Sequence, residues 1–488
     1  MTRPQPPSLA SADDLTEAAE IDLNAALAPL IAQRKLSPIV RPSTAADVAA
    51  LLDTSFPQGG DSLDQLVEQL STATDRYPRR NTHPGFFGWI APSGLPTDPL
   101  AHAMVSALNA NVIGYLPSPV GTTIEKTVIR WLADLVDFPQ QSEGVFLSGG
   151  SIANMSGISS ALLKRYGPEF RAKGLYDHGQ ASRPVIICSQ AAHFSIRRAA
   201  VMLGIGTDNI IAIDTDAEFR MRVDKLTEAI AQYDNIVCVV ASAGTTNTGA
   251  IDPLDEIAEV CASQDIWLHV DAAYGGGGLM SDELKPRYHG IEKADSVVMD
   301  LHKWFFQSLD GSLLLYRNPE WARNLFFDSA DYLRGSEDNS PEQYMFFHIA
   351  PELSRRFRAL PFYIAFRCYG LPKLGRNALH NVQCAEYLAE LIRQQDDLEL
   401  VVAPQLSIRC FRFRPVDTDA AAVDQINTMI RDQIQLEGEF LMSATQVNGR
   451  PVLRVCIINP ATRAEHIEGL LDSVLRIGRS LVLSGTAE

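Results

Sequence analysis

The sequence predicts an α/β protein: a large domain with a mostly parallel sheet covered by helices, followed by a smaller C-terminal α/β domain. Three observations predict it. From about residue 81 to 370, short β-branched runs alternate with helical stretches, the pattern of strands joined by crossover helices. The runs VIICS (185–189), IVCVVAS (236–242), IWLHVD (266–271) and SVVMD (296–300) are apolar almost throughout, as strands covered on both faces must be. After Gly370 the pattern changes to helix, strands, helix, strands, helix, which reads as a separate layer with an antiparallel sheet.

Taken in order, residues 1–80 form an N-terminal helical segment. Pro4, Pro6 and Pro7 open it, and TAADVAALLDTSFP and SLDQLVEQLSTATDRY have helical spacing. The segment holds too little apolar material for its own core, so it is expected to pack on the main body or on another subunit. Residues 81–370 form the large domain, with a helix beginning near Ala153 after VFL. Residues 371–488 form the small domain: a helix at about 376–395, the strands LELVVA and LSIRCFRFRP, a helix from 420, LMSATQV, VLRVCII and a last helix at 463–480.

The chain has 488 residues, enough for two or three domains. A net charge of −17 argues against nucleic acid or an anionic membrane as partner, since either needs a basic face. Seven cysteines, odd in number and never in C-x-x-C spacing, make a disulfide framework or zinc site unexpected. The start MTRPQPPSLASADDL lacks the apolar stretch of a signal peptide, and no apolar run approaches a membrane span. A cytoplasmic protein is the expectation.

Ligands of open α/β sheets sit at the carboxyl ends of the strands, and several strand ends here carry reactive groups. IWLHVD ends in Asp271, followed by Ala273, Tyr274 and four glycines; SVVMD leads into DLHKW, placing Lys303 just beyond it. The 32 residues from 271 to 303 allow one crossover between neighbouring strands. A lysine amine can condense with an aldehyde cofactor while a carboxylate holds a proton on the cofactor's ring nitrogen. After VFL, Ser148-Gly149-Gly150-Ser151 opens a helix and can approach a phosphate. His193 follows VIICS and could stack on a flat ring, and Thr246 follows IVCVVAS and offers a hydroxyl.

These blocks together resemble the group II pyridoxal-phosphate decarboxylases, most closely their aromatic-L-amino-acid branch. The matching stretches are HPGFFGWIAP (83–92), GVFLSGGSIAN (144–154), SQAAHFSIRRA (189–199), AGTTNTGAIDPL (243–254), HVDAAYGG (269–276), DLHKWFFQ (300–307) and LSRRFRAL (353–360). The resemblance implies the type I fold of aspartate-aminotransferase-like enzymes and pyridoxal 5′-phosphate as cofactor. It implies that Lys303 forms the Schiff base, that Asp271 pairs with the ring nitrogen, and that His193 stacks on the ring. Gly150, Ser151 and His302 would contact the phosphate, Thr246 the phenolic oxygen, and Ala273 the underside of the ring. Trp89 and Pro92, with Ile113 and Tyr115 from a partner subunit, would shape the side-chain pocket of a homodimer. The chain departs from many animal and plant members at Asp300, where they carry Asn; a carboxylate there would repel phosphate, so no phosphate contact is carried over to it.

The activity so implied is decarboxylation of an aromatic L-amino acid to an arylalkylamine and carbon dioxide. Between Phe327 and Leu353 the chain is rich in Ser, Asp, Asn, Gly and Pro, the composition of a closing loop. In the family a tyrosine of this loop delivers the proton. Tyr344 is the first candidate and Tyr332 the second, while Phe346 and Phe347 stand where a two-residue shift of alignment would imply an aldehyde product instead. Rival readings are an aromatic aldehyde synthase, a decarboxylase of glutamate, aspartate or 2,4-diaminobutyrate, and a catalytically inactive protein that keeps the fold. No Arg or Lys occurs in 83–92 or 111–118, which favours an apolar side chain.

Overall fold

The computed structural model describes residues 22–91, 93–175, 183–328, 344–402 and 405–484. Its strands are β1 (Phe86–Phe87), β2 (Glu143–Leu147), β3 (Val185–Ser189), β4 (Ile210–Ile213), β5 (Ile236–Ser242), β6 (Trp267–Asp271), β7 (Ser296–Asp300), β8 (Ser312–Tyr316), β9 (Leu398–Leu400), β10 (Ile408–Phe413), β11 (Leu441–Val447) and β12 (Arg450–Cys456). The large sheet has the order β2-β8-β7-β6-β5-β3-β4. Strands β4, β3, β5, β6 and β7 run parallel, whereas β8 is antiparallel to both its neighbours. Every residue of β3, β5, β6, β7 and β8 is buried. This burial explains why their sequences are continuously apolar rather than alternating.

One helix controls how the site is built. Gly150–Tyr166 begins in the turn after β2 and lies across the sheet, burying a run that includes Ala153, Asn154, Ser156, Gly157, Ser159 and Ser160. Small side chains let its axis come close to the strands. It begins three residues before the expected Ala153, so Gly150 and Ser151 belong to its first turn. A second helix, Pro119–Leu135, packs between β2 and the helix Ala359–Tyr369.

The small sheet has the order β1-β11-β12-β10-β9. It is antiparallel except where β1 joins β11 in parallel. The helices Leu371–Arg393, Ala420–Glu437 and Ala464–Leu483 complete this unit. Within the span 81–370 expected for the large domain, Phe86 and Phe87 add a strand to this small sheet. Both are buried: Phe87 packs within the core of the C-terminal unit, and Phe86 packs between Leu441 and the N-terminal Ile39 and Val40.

The N-terminal helices Ala45–Ala49 and Leu63–Arg76 start at capping boxes, Thr44 with Asp47 and Ser62 with Gln65. Leu63–Arg76 buries only Ala73 and leaves Leu63, Leu66 and Leu70 exposed. All seven cysteines are unpaired, and all but Cys368 are buried. Among the described residues no helix is long and apolar enough to cross a membrane.

Candidate active site

Strands β6 and β7 are neighbours, so Asp271 and the loop holding Lys303 come to the same edge of the sheet. There Ser148, Gly150, Ser151, Asn154, His193, Thr246, Asp271, Ala273, Asp300, His302 and Lys303 line one cavity of about 270 Å³. Lys303 follows β7 within the connection to antiparallel β8, which turns the chain back and leaves the amine in the cavity.

The electrostatics centre on an ion pair. Lys303 Nζ lies 2.8 Å from Asp300 Oδ2, and Ser312 Oγ donates to Asp300 Oδ1. Burial works against the Lys303 charge, but Asp300 outweighs it and holds the ammonium above its ordinary range. Burial likewise works against the Asp300 charge, and Lys303 with His302 holds the carboxyl below its usual range. Both members of the pair are therefore ionised. His302 Nδ1 lies 3.0 Å from the Gly311 carbonyl, and burial lowers its pKa.

Asp271 is held from two sides: Asn154 Nδ2 donates to Oδ2 at 3.0 Å and the Ala273 N–H donates to Oδ1 at 3.0 Å. His193 Nδ1 lies 2.9 Å from Ser195 Oγ, which accepts from Asn154 Nδ2 at 2.9 Å. Burial lowers the His193 pKa, with Asp271 opposing and Lys303 reinforcing the shift. Asn154, Ser195 and His269 were not singled out from sequence. Each lies inside a quoted block (GVFLSGGSIAN, SQAAHFSIRRA, HVDAAYGG), but only the fold shows that they touch.

These residues fit the cofactor. No side chain caps the helix at Gly149, and with the Ile152 N–H donating to the Gly149 carbonyl, the Gly150 and Ser151 N–H groups are the ones open to an anion. A Cβ on Gly150 would stand 2.8 Å from Asp300 Oδ1, so only glycine fits at this approach. The amine, the strand-end carboxylate, the imidazole and the helix end match the aldehyde, ring nitrogen, ring face and phosphate of pyridoxal phosphate.

Beyond His193 and Lys303 the cavity opens into a cleft of about 670 Å³ lined by Trp89, Phe194, Thr246, Leu441, Met442, Arg431 and Arg454, among others. The structure thus brings Trp89 to the site. Its carbonyl and that of Thr246 accept from Arg454. Ile113 and Tyr115 line neither cavity; they pair through their backbones with Phe346 and Tyr344. Pro92 and Tyr332 lie outside the described residues.

Tyr344 lies away from the cavities of its own chain. Its ring lies 4.1 Å from Lys126 Nζ and edge-on to Phe346. Burial, with the Glu143 and Glu125 carboxylates nearby, pushes its phenol well above the ordinary range. The phenol is not placed to reach Lys303 of its own chain, and it sits on the segment bonded to Ile113 and Tyr115.

A lysine ammonium and a strand-end carboxylate facing one cavity at the carboxyl edge of a parallel sheet define a pyridoxal-phosphate enzyme of the type I fold. The chain belongs to the pyridoxal-dependent decarboxylase family, whose conserved domain matches residues 46–414. It is 30% identical over 438 residues to an aromatic-L-amino-acid decarboxylase of Bacillus atrophaeus, covering 89% of each chain. It is also 30% identical over 449 residues to an acidic amino acid decarboxylase of Xenopus tropicalis, covering 88% of this chain and 86% of that one. The crystal structure of mouse CSAD in its apo form superposes with a TM-score of 0.86 at 26% identity, over 93% of this chain and 96% of that one. The protein is a pyridoxal-phosphate-dependent amino-acid decarboxylase.

Proposed function

We propose that the substrate is an aromatic L-amino acid and the products its arylalkylamine and carbon dioxide. The observation that carries this reading is the wall of the outer cleft. Trp89, Phe194, Leu441 and Met442 give it an aromatic and aliphatic surface. Both guanidinium groups on that wall already have partners: Arg454 serves the Thr246 and Trp89 carbonyls, and Arg431 Nη2 lies 2.6 Å from Asp432 Oδ1. Asp432 thus balances the Arg431 charge, and the Arg454 N–H groups are taken up by neutral carbonyls, which leave its charge in place.

Bound pyridoxal phosphate supplies the aldehyde and the electron-withdrawing ring that make loss of a carboxylate feasible. In this reading the chain's residues orient and hold charge around it. Lys303 provides the amine, and Asp271, anchored by Asn154 and the Ala273 N–H, holds a proton at the ring nitrogen. His193 and Ala273 close the two ring faces, Gly150, Ser151 and His302 receive the phosphate, and Thr246 lies by the phenolic oxygen. Trp89 orients the substrate side chain. The exposed leucines of Leu63–Arg76, and the absence of Ile113 and Tyr115 from their own chain's cavities, support a homodimer in which these two residues serve the partner's site.

The test is incubation of the cofactor-loaded protein with each of the twenty amino acids, following carbon dioxide, amine and peroxide together. Amine and carbon dioxide from tryptophan, tyrosine, phenylalanine or dopa are expected. Fastest turnover of glutamate, aspartate or 2,4-diaminobutyrate would overturn the aromatic reading. Two cations on the wall favour an acidic side chain: Arg454, whose partners there are neutral carbonyls, and Arg431. If an acidic substrate is turned over and Arg431→Gln raises its KM, that second reading stands.

A further inference from the structure

A buried chain of hydrogen bonds runs beneath the site, and its direction can be assigned from chemistry alone. Trp267 Nε1 lies 2.9 Å from Ser296 Oγ, which lies 2.7 Å from His269 Nδ1. His269 Nε2 lies 2.9 Å from Asn154 Oδ1. Asn154 Nδ2 reaches both Asp271 Oδ2 and Ser195 Oγ, and Ser195 Oγ reaches His193 Nδ1. Asn154, His269 and Ser296 are at most 1% exposed, so water does not compete.

An ionised carboxylate only accepts, so the Asn154 amide must present its NH₂ to Asp271 and its oxygen to His269. His269 must therefore carry a proton on Nε2. Burial lowers its pKa to about 4, so the ring is neutral and Nδ1 is bare, taking the Ser296 hydroxyl proton. The donor-only indole of Trp267 is satisfied at Ser296. On the other branch Ser195 Oγ accepts from Asn154, so its hydroxyl proton goes to His193 Nδ1, to which the Ser195 N–H also donates at 3.3 Å. His193 Nδ1 is then bare, and the proton of the neutral ring resides on Nε2. Room for this arrangement comes from Gly157, where a Cβ would stand 2.6 Å from His269 Cε1.

We propose that Asn154 is a positioning residue that, anchored by His269, sets the tautomer of His193 so that Nε2 is a hydrogen-bond donor, while the same amide holds the Asp271 carboxylate. A single side chain thereby couples the group on the cofactor's ring nitrogen to the group on its ring face. The assignment makes His193 a donor toward an anionic group of the substrate, not a base. It holds whichever side chain the substrate carries.

The test is a long-range ¹H–¹⁵N spectrum of the full-length protein labelled at histidine, without and with pyridoxal phosphate. In the unmutated protein His193 and His269 should both show a proton-bearing Nε2 and a bare Nδ1. A proton on His193 Nδ1, or on both nitrogens at neutral pH, would overturn the proposal with no variant needed. In Asn154→Ala the Nε2–H form of His193 should lose its dominance, and the Kd for pyridoxal phosphate should rise about ten- to a hundredfold, the loss of one hydrogen bond to a charged group. His269→Gln keeps an N–H facing Asn154 and should retain the His193 tautomer, whereas His269→Leu should lose it. If all three variants merely lower the unfolding midpoint and leave the His193 signals unchanged, Asn154 is a packing residue and the proposal fails.

Discussion

Asp300 offers the sharpest test of the charge arrangement, because Asp300→Asn keeps the shape and removes one charge. The carboxylate is 3% exposed and 2.8 Å from Lys303 Nζ. A hydrogen bond assisted by charge on both sides contributes about 1.5–3 kcal/mol. Without it the neutral amine becomes roughly ten- to a hundredfold more populated at a given pH, at 1.4 kcal/mol per factor of ten. The sign follows from the raised Lys303: below its pKa the amine is protonated and cannot attack an aldehyde, and removing Asp300 lowers that pKa. The variant also removes a negative charge beside Gly150, where the phosphate is expected, so both effects act in the same direction. The assay is stopped-flow mixing of the cofactor-free protein with pyridoxal phosphate between pH 6 and 9, following growth of the visible band near ~420 nm that a bound aldehyde gives. Asp300→Asn should capture the cofactor at least tenfold faster near neutral pH, with the gain shrinking as pH rises. An equal or slower rate throughout would show that Asp300 does not hold Lys303 charged, and the reading of this pair would be wrong.

Tyr344→Phe should leave the ratio of amine to aldehyde unchanged, because the phenol lies against Lys126 and Phe346 and not in the cavity; peroxide release on turnover checks this. Arg355→Met strands Glu125, both side chains being 0% exposed, and should destabilise the protein by about 3–5 kcal/mol, while Glu125→Leu in the same chain should recover most of it; urea unfolding midpoints report both. Acid should destabilise the fold through His269. Its folded pKa of about 4 against 6.5 unfolded means the unfolded state binds more protons between those values, so stability falls as pH drops from 6.5 to 4, by about 3 kcal/mol. His269→Gln should flatten that part of the pH profile.

The strands that carry the site were legible because they are buried on both faces. β3, β5 and β7 have the limits their apolar runs predict, and β6 starts one residue late. Asp271 and Lys303 were legible for the same reason: each is the polar residue that ends or follows such a run. What could not be read is contact across the sheet. Asn154 and Asp271 are 117 positions apart, and nothing local marks one as the partner of the other. Phe86 and Phe87 were read with the large domain because sequence proximity to it was the only guide; their burial is decided by β11, more than 350 positions later.

Tyr344 shows how tertiary anchoring decides where a motif residue sits. Its spacing from the RRFR segment placed it in the loop that closes the site, but Arg355 governs that stretch of chain. The Arg355 guanidinium donates to the Val112 and Phe146 carbonyls and pairs with buried Glu125. Val112 leads directly into Ile113 and Tyr115, whose backbones bind Phe346 and Tyr344. A tyrosine tied to this anchor cannot swing to its own chain's cavity without breaking backbone hydrogen bonds beside a buried ion pair. The same anchor reaches Phe146 on β2, just ahead of the Ser148–Ser151 turn. One arginine therefore braces both the expected phosphate turn and the segment expected to serve a partner's pocket. Its substitution should accordingly weaken cofactor binding as well as the fold.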